Sequence, residues 1–165
     1  MAKIPSFIPV PPFDETPGCC GPASLKMILA YYGVEKTERE LTRLCHCTPA
    51  HGTRAEAILR VAKELGFRGT IKDNSSLKDI RRYVRKNVPV IIDWFSQTDG
   101  HYSVVVGIDE ENIYLQDPHL GHMRAIELPV FKRIWFDFPG PYLRSRNDLI
   151  LRRLIIITPK EHIHR

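Results

Sequence analysis

From residue 20 onward, apolar side chains recur at helical spacing. Leu25, Ile28, Leu29 and Tyr32 follow the i, i+3, i+4, i+7 pattern. Pro22 suits a first turn and Gly33 a helix end, so this helix is expected to begin near Cys20–Pro22. A second helix is expected from Thr37, with Glu40 three residues on as a capping box. A third repeats that device with Thr53 and Glu56 and runs through "RAEAILRVAKEL" to Gly66. A fourth covers "SLKDIRRYVRKN" (76–87), capped by Ser75 or Ser76. The period then shortens. "VPVIIDWF" (88–95), "HYSVVVGI" (101–108) and "NIYLQ" (112–116) are β-branched and aromatic runs between polar turns. A short strand is expected near 122–127, a helical turn or two over "PVFKRIWF" (129–136), and a final strand over "LILRRLIIIT" (149–158). Helices come first and strands second, which predicts an α+β domain with N-terminal helices packed on a C-terminal antiparallel sheet. Residues 1–16, held by Pro5, Pro9, Pro11 and Pro12, read as an extended arm.

Length and charge narrow the picture. The 165 residues suit a single domain spanning 1–165 with a real core. The net charge is +5, but opposite signs are mixed along the chain, as in "EKTERELTR" (35–43). No aromatic-studded basic stripe marks a nucleic-acid surface, so no nucleic-acid partner is expected. "MAKIPSFIPVPPF" is not a targeting segment, and the longest apolar block, "LIIIT" (154–158), is strand-sized, so no membrane span is expected. A cytoplasmic chain with reduced thiols is the expectation.

That expectation makes the four cysteines, at 19, 20, 45 and 47, candidates for chemistry. Cys20 directly precedes Gly21 and Pro22 at a helix mouth, where unpaired N–H groups and the dipole favour a thiolate. Gly21 lets the chain turn tightly and presents no side chain to a substrate. Cys19 lies one residue outside and ranks second. A thiolate needs a base. His162 and His164 fall in the tail, His119 and His122 in a loop, and His46 and His51 beside Cys45. His101 opens the most strand-like segment, and Asp117 ends the next strand, before Pro118. A hairpin around "DEEN" brings both to its open end. An even loop centred between Glu110 and Glu111 would put them on opposite faces; an odd loop or a bulge puts them on one face. The odd arrangement is expected. Trp94, Phe95, Trp135 and Phe136 are read as packing residues, and Tyr102 is expected to face away from His101.

"CGPASLKMILAYYG", followed by "GHYSVVVGID" and "LQDP", resembles the bacteriocin-processing, double-glycine leader peptidases over residues 14 to 118. These are papain-like cysteine peptidases, fused to ABC exporters or freestanding. The resemblance implies a papain-like fold, a triad of Cys20, His101 and Asp117, and a peptide or protein substrate cut after Gly-Gly. No cofactor is expected. One departure stands out. The family has a glutamine six residues before the nucleophile, donating to the oxyanion; here that position is Asp14, followed by Glu15. An ionised carboxylate cannot donate. Gln97, Thr16 or backbone N–H groups near Cys20 and Gly21 are the alternative donors, or Asp14 itself if burial keeps it protonated. A catalytically weak or inactive peptide-binding domain is therefore the alternative function. A metal site built from Cys19, Cys20, Cys45, His46, Cys47 and His51 lacks the ligand spacing of structural zinc sites.

Overall fold

The structure, a computed structural model, describes residues 6–160. Pro5 of the expected arm, and His162 and His164, lie outside the described residues. A six-stranded antiparallel sheet runs in the order β1-β8-β2-β3-β4-β5. Its strands are β1 (Phe67–Lys72), β2 (Val90–Ser96), β3 (Asp99–Ile108), β4 (Asn112–Asp117), β5 (His122–Glu127) and β8 (Arg153–Pro159). A two-stranded ribbon, β6 (Phe136–Asp137) with β7 (Ile150–Leu151), sits at its end. Among the helices are α1 (Cys20–Tyr31), α2 (Glu38–Leu44), α3 (Ala55–Glu64), α4 (Leu77–Arg85) and α5 (Leu128–Ile134).

The sheet divides two apolar cores. On one face Leu25, Ile28 and Leu29 of α1, Leu41 of α2 and Ile58 of α3 pack on Ile91, Val104, Val106 and Ile155. On the other, Ile80 of α4 and Phe131 of α5 pack on Ile92, Trp94, Val105, Ile113 and Leu115. Trp94 and Trp135 are both buried there, and Phe131 stacks on Trp135 at 5.0 Å. This is the α+β architecture the hydrophobic pattern predicts, with helices on both faces.

Local signals hold where they are local. Thr37 with Glu40 and Ser76 with Asp79 both close full capping boxes. Thr53 does not cap α3: Arg54 is the N-cap residue, without a side-chain bond. Thr53 is pressed instead against Gly21, where an added Cβ would lie 2.7 Å from the Thr53 Cβ. The strand β1 carries no clear signal in the sequence. Its Gly69 breaks the alternation because Leu59 fills the space a side chain would need. The final strand is interrupted at Arg152, which adopts φ +47° between β7 and β8.

Candidate active site

The β3–β4 hairpin sets the geometry. Its loop is the even one: Asp109 donates its N–H to the Asn112 carbonyl at 2.9 Å, around Glu110 and Glu111. The expected odd loop does not form. One extra residue in β3 restores the parity: Val105 pairs with Leu115 and Gly107 with Tyr114, leaving Val106 bulged. His101, Ser103 and Val105 then share a face with Ile113, Leu115 and Asp117. The arm secures the bulge, since Ile8 donates its N–H to the Val106 carbonyl at 2.8 Å. Phe7 lies over Gly107, where a Cβ would come within 2.8 Å of its ring.

On that face His101 Nε2 and Asp117 Oδ1 are 2.6 Å apart, and both residues are buried. Asp117 also accepts the His119 N–H at 3.0 Å and an Arg124 N–H at 3.2 Å. Burial works against its charge. The His101 hydrogen bond and charge, the His119 N–H and Arg124 together outweigh burial and hold the carboxyl below the usual carboxylate range. With Nε2 committed to Asp117, Nδ1 is the imidazole nitrogen left for chemistry. Trp94 meets the His101 ring edge-on at 5.5 Å and donates its indole N–H to Ser103.

Cys20 approaches from the opposite face, on the first turn of α1. Its thiol lies beside the Tyr102 backbone N–H, one peptide unit from His101, and that dipole works to lower the thiol pKa. The Tyr102 side chain points away from His101, into the α1 core, and its hydroxyl donates to the Thr53 carbonyl at 3.0 Å. The thiol does not gain the expected acidity from the helix mouth. Burial pushes it up to about 12, against the Tyr102 N–H, and the charges of Glu15 and Asp93 push the same way. Cys19 is turned from the cleft towards Cys47, whose Sγ reaches the Gly18 carbonyl at 3.5 Å.

The other sequence candidates fall elsewhere. Asp14 is exposed and packs against Gly121. The acid turned inward is its neighbour Glu15, whose side chain is 6% exposed. Glu15 donates its backbone N–H to the Pro118 carbonyl at 2.9 Å, and its Oε1 lies 3.3 Å from His119 Nδ1. Its Oε2 is buried without a partner. Burial raises the Glu15 pKa, against the charge of His101 and the hydrogen bond and charge of His119. Nothing local in the sequence separates Asp14 from Glu15; the Pro118 contact, a hundred residues along the chain, orients the loop. Gln97 sits at the exposed tip of the β2–β3 turn with φ +57°, beyond the Ser96–Asp99 pair and away from His101. Thr16 is exposed, its N–H held by Glu38 at 2.9 Å. Gly21 is buried, so its missing side chain accommodates Thr53 and not a substrate.

Cys20 opens onto a cleft of about 1130 Å³. Its walls include Thr53 ahead of α3, Gly100 and Tyr102 of β3, Asp93 of β2, and Asp137 and Phe138 around β6. A buried carboxylate so placed can orient the His101 imidazole and stabilise an imidazolium.

Comparison with known proteins gives a consistent picture. The model of the peptidase C39 family matches residues 16–138. An uncharacterized protein of Methanothermobacter thermautotrophicus is 33% identical over 116 residues, covering 70% of this chain and 75% of that one. The transport/processing ATP-binding protein ComA of Streptococcus pneumoniae is 33% identical over 140 residues, 78% of this chain but only 18% of ComA. Among solved structures, the peptidase domain of Streptococcus ComA, a bi-functional ABC transporter, superposes with a TM-score of 0.73 at 20% identity, covering 92% of this chain and 99% of that domain. A double-glycine-motif protease from an AMS/PCAT transporter, in complex with its leader peptide, gives 0.69 at 21% identity, covering 96% and 100%. No helix among the described residues is long and apolar enough to cross a membrane.

Proposed function

The chain belongs to the peptidase C39 family, whose domains are cysteine peptidases, and on that premise we propose that it hydrolyses peptide bonds through Cys20, His101 and Asp117. The observation that carries the reading is the buried 2.6 Å contact between His101 and Asp117, on the residue next to Tyr102, whose backbone N–H lies beside the Cys20 thiol.

The proposed steps use these three groups. His101 Nδ1 takes the Cys20 proton as the sulfur bonds to the scissile carbonyl carbon. Asp117, already ionised, stabilises the imidazolium and fixes its orientation. The tetrahedral intermediate collapses as His101 returns the proton to the leaving amine, leaving a thioester. Water, deprotonated by His101, then releases the acid and the free thiol. The oxyanion needs a donor, and Glu15 is the side chain offered. With a proton on Oε2 it donates; ionised, it opposes the developing charge. By analogy with the leader-bound transporter protease, the substrate is a peptide cut after a Gly-Gly pair.

One observation favours a second reading, that of a peptide-binding domain with weak chemistry: the Cys20 thiol is pushed up by burial and by two acids. Incubating the protein and its Cys20→Ala variant with double-glycine leader peptides separates the two. Cleavage after Gly-Gly by the parent alone supports the peptidase. Binding by both proteins without cleavage establishes the second reading.

A further inference from the structure

Two carboxyl groups sit in the cleft outside the catalytic group, and the mechanism uses neither. Asp93 extends from β2, is 1% exposed, and leaves Oδ1 without a partner. Asp137 extends from β6 to meet it, in side-chain hydrogen-bonding contact. The nearest cation does not close on them: Arg153 is held by both oxygens of Asp73, at 2.7 and 3.0 Å. The position before His101 is Gly100, and a side chain there would overlap the Asp137 carboxylate. The acid therefore lies against the strand that carries the base. Phe138 continues the wall, with its ring stacked on Phe95 at 5.3 Å.

We propose that Asp93 and Asp137 form a subsite for a lysine or arginine side chain of the substrate, within two residues of the Gly-Gly pair. The inference rests on the peptidase reading for its substrate class but not for its binding chemistry. The arrangement suits such a side chain in two ways. An apolar stem would run along Phe138, and the cationic head would meet the Asp93–Asp137 pair in the cleft wall. Burial and mutual repulsion favour one proton shared by the pair, and an arriving cation replaces that proton. Tyr102, Asp99 and Cys20 also border the pair. His51, Arg54 and Arg144 line the same cleft, and the charge of Arg153 acts on both carboxyls although its guanidinium is bonded to Asp73. Binding through this pair releases a proton and tightens as pH rises through the raised titration range of the pair.

The test is a positional scan of leader-type peptides, placing lysine, norleucine or glutamate at each site within two residues of Gly-Gly. Cleavage is followed with the parent protein, and binding with Cys20→Ala by fluorescence anisotropy at several pH values. Lysine is expected to exceed norleucine about tenfold at one position, a ratio that falls towards unity in Asp93→Asn and in Asp137→Asn. Should either variant fail to fold, the lysine-to-norleucine ratio of the parent and its rise with pH decide alone. Equal handling of lysine and norleucine at every position overturns the subsite while leaving the peptidase standing. A ratio unchanged in both folded variants also overturns it. Tight, pH-dependent binding of lysine peptides to Cys20→Ala with no cleavage by the parent keeps the subsite and removes the peptidase.

Discussion

His101 and Asp117 share a face of the sheet only because Val106 is bulged out of β3. The hairpin loop between them is even, and without the bulge the two side chains would point to opposite cores. One residue of register thus decides whether the imidazole has a carboxylate. The bulge is held from outside by the arm, through the Ile8 contact with the Val106 carbonyl.

Replacing Asp117 tests what the carboxylate does. Asp117→Ala is expected to lower kcat/KM by about 10²–10⁴-fold, since the imidazole loses both its orienting partner and the stabilising charge. Asp117→Asn should fall less, because an amide oxygen still accepts the Nε2–H. Steady-state rates on a leader peptide check this; equal rates in parent and Asp117→Ala would remove Asp117 from the mechanism.

Glu15→Gln is expected to speed the reaction at pH 8, by on the order of tenfold. The amide donates at every pH, and the loss of a negative neighbour lowers the Cys20 thiol pKa. Mass-mapped iodoacetamide labelling should show Cys20 reacting faster in the variant than in the parent. A slower variant on both measures would show that the carboxyl is needed as such.

The same substitution carries a pH signature in stability. Glu15 has a raised pKa in the fold, so the native state binds that proton more tightly than the unfolded chain does. The stability it supports is present below the unfolded pKa of about 4.3 and is lost as pH rises through the folded value. The Tm of Glu15→Gln relative to the parent should therefore climb with pH across that window and then level off. A constant Tm difference from pH 4 to 8 would contradict a buried, shifted Glu15.

Gly21→Ala places a methyl group on Thr53 and is expected to cost about 1–3 kcal/mol. At about 2–4 °C per kcal/mol, thermal denaturation resolves this easily. Adding Thr53→Gly should recover part of the loss. If the double variant melts no higher than Gly21→Ala alone, the contact is not the cause.

The parts of this molecule legible in the sequence are those whose causes lie within a few residues. The Thr37–Glu40 and Ser76–Asp79 caps are three-residue devices and form as expected. The same signature at Thr53 fails because a tertiary neighbour, Gly21, claims the side chain. The strand β1 went unread because Leu59, on another element, dictates its glycine. Cys20, His101 and Asp117 were findable as a thiol at a helix mouth and two polar residues at strand ends. The bulge at Val106 was not, because even and odd hairpins look alike until register is known. Nor was the exchange of Asp14 for Glu15, which depends on a backbone bond to Pro118.

His101 is rooted among the side chains beneath α4 and α5, whereas Cys20 is rooted among those beneath α1. Sulfur and imidazole are thus carried by two levers anchored separately, on either side of one sheet. A substitution deep in either core, far from any substrate, tilts one lever against the other, so their alignment can drift without a change at the site itself.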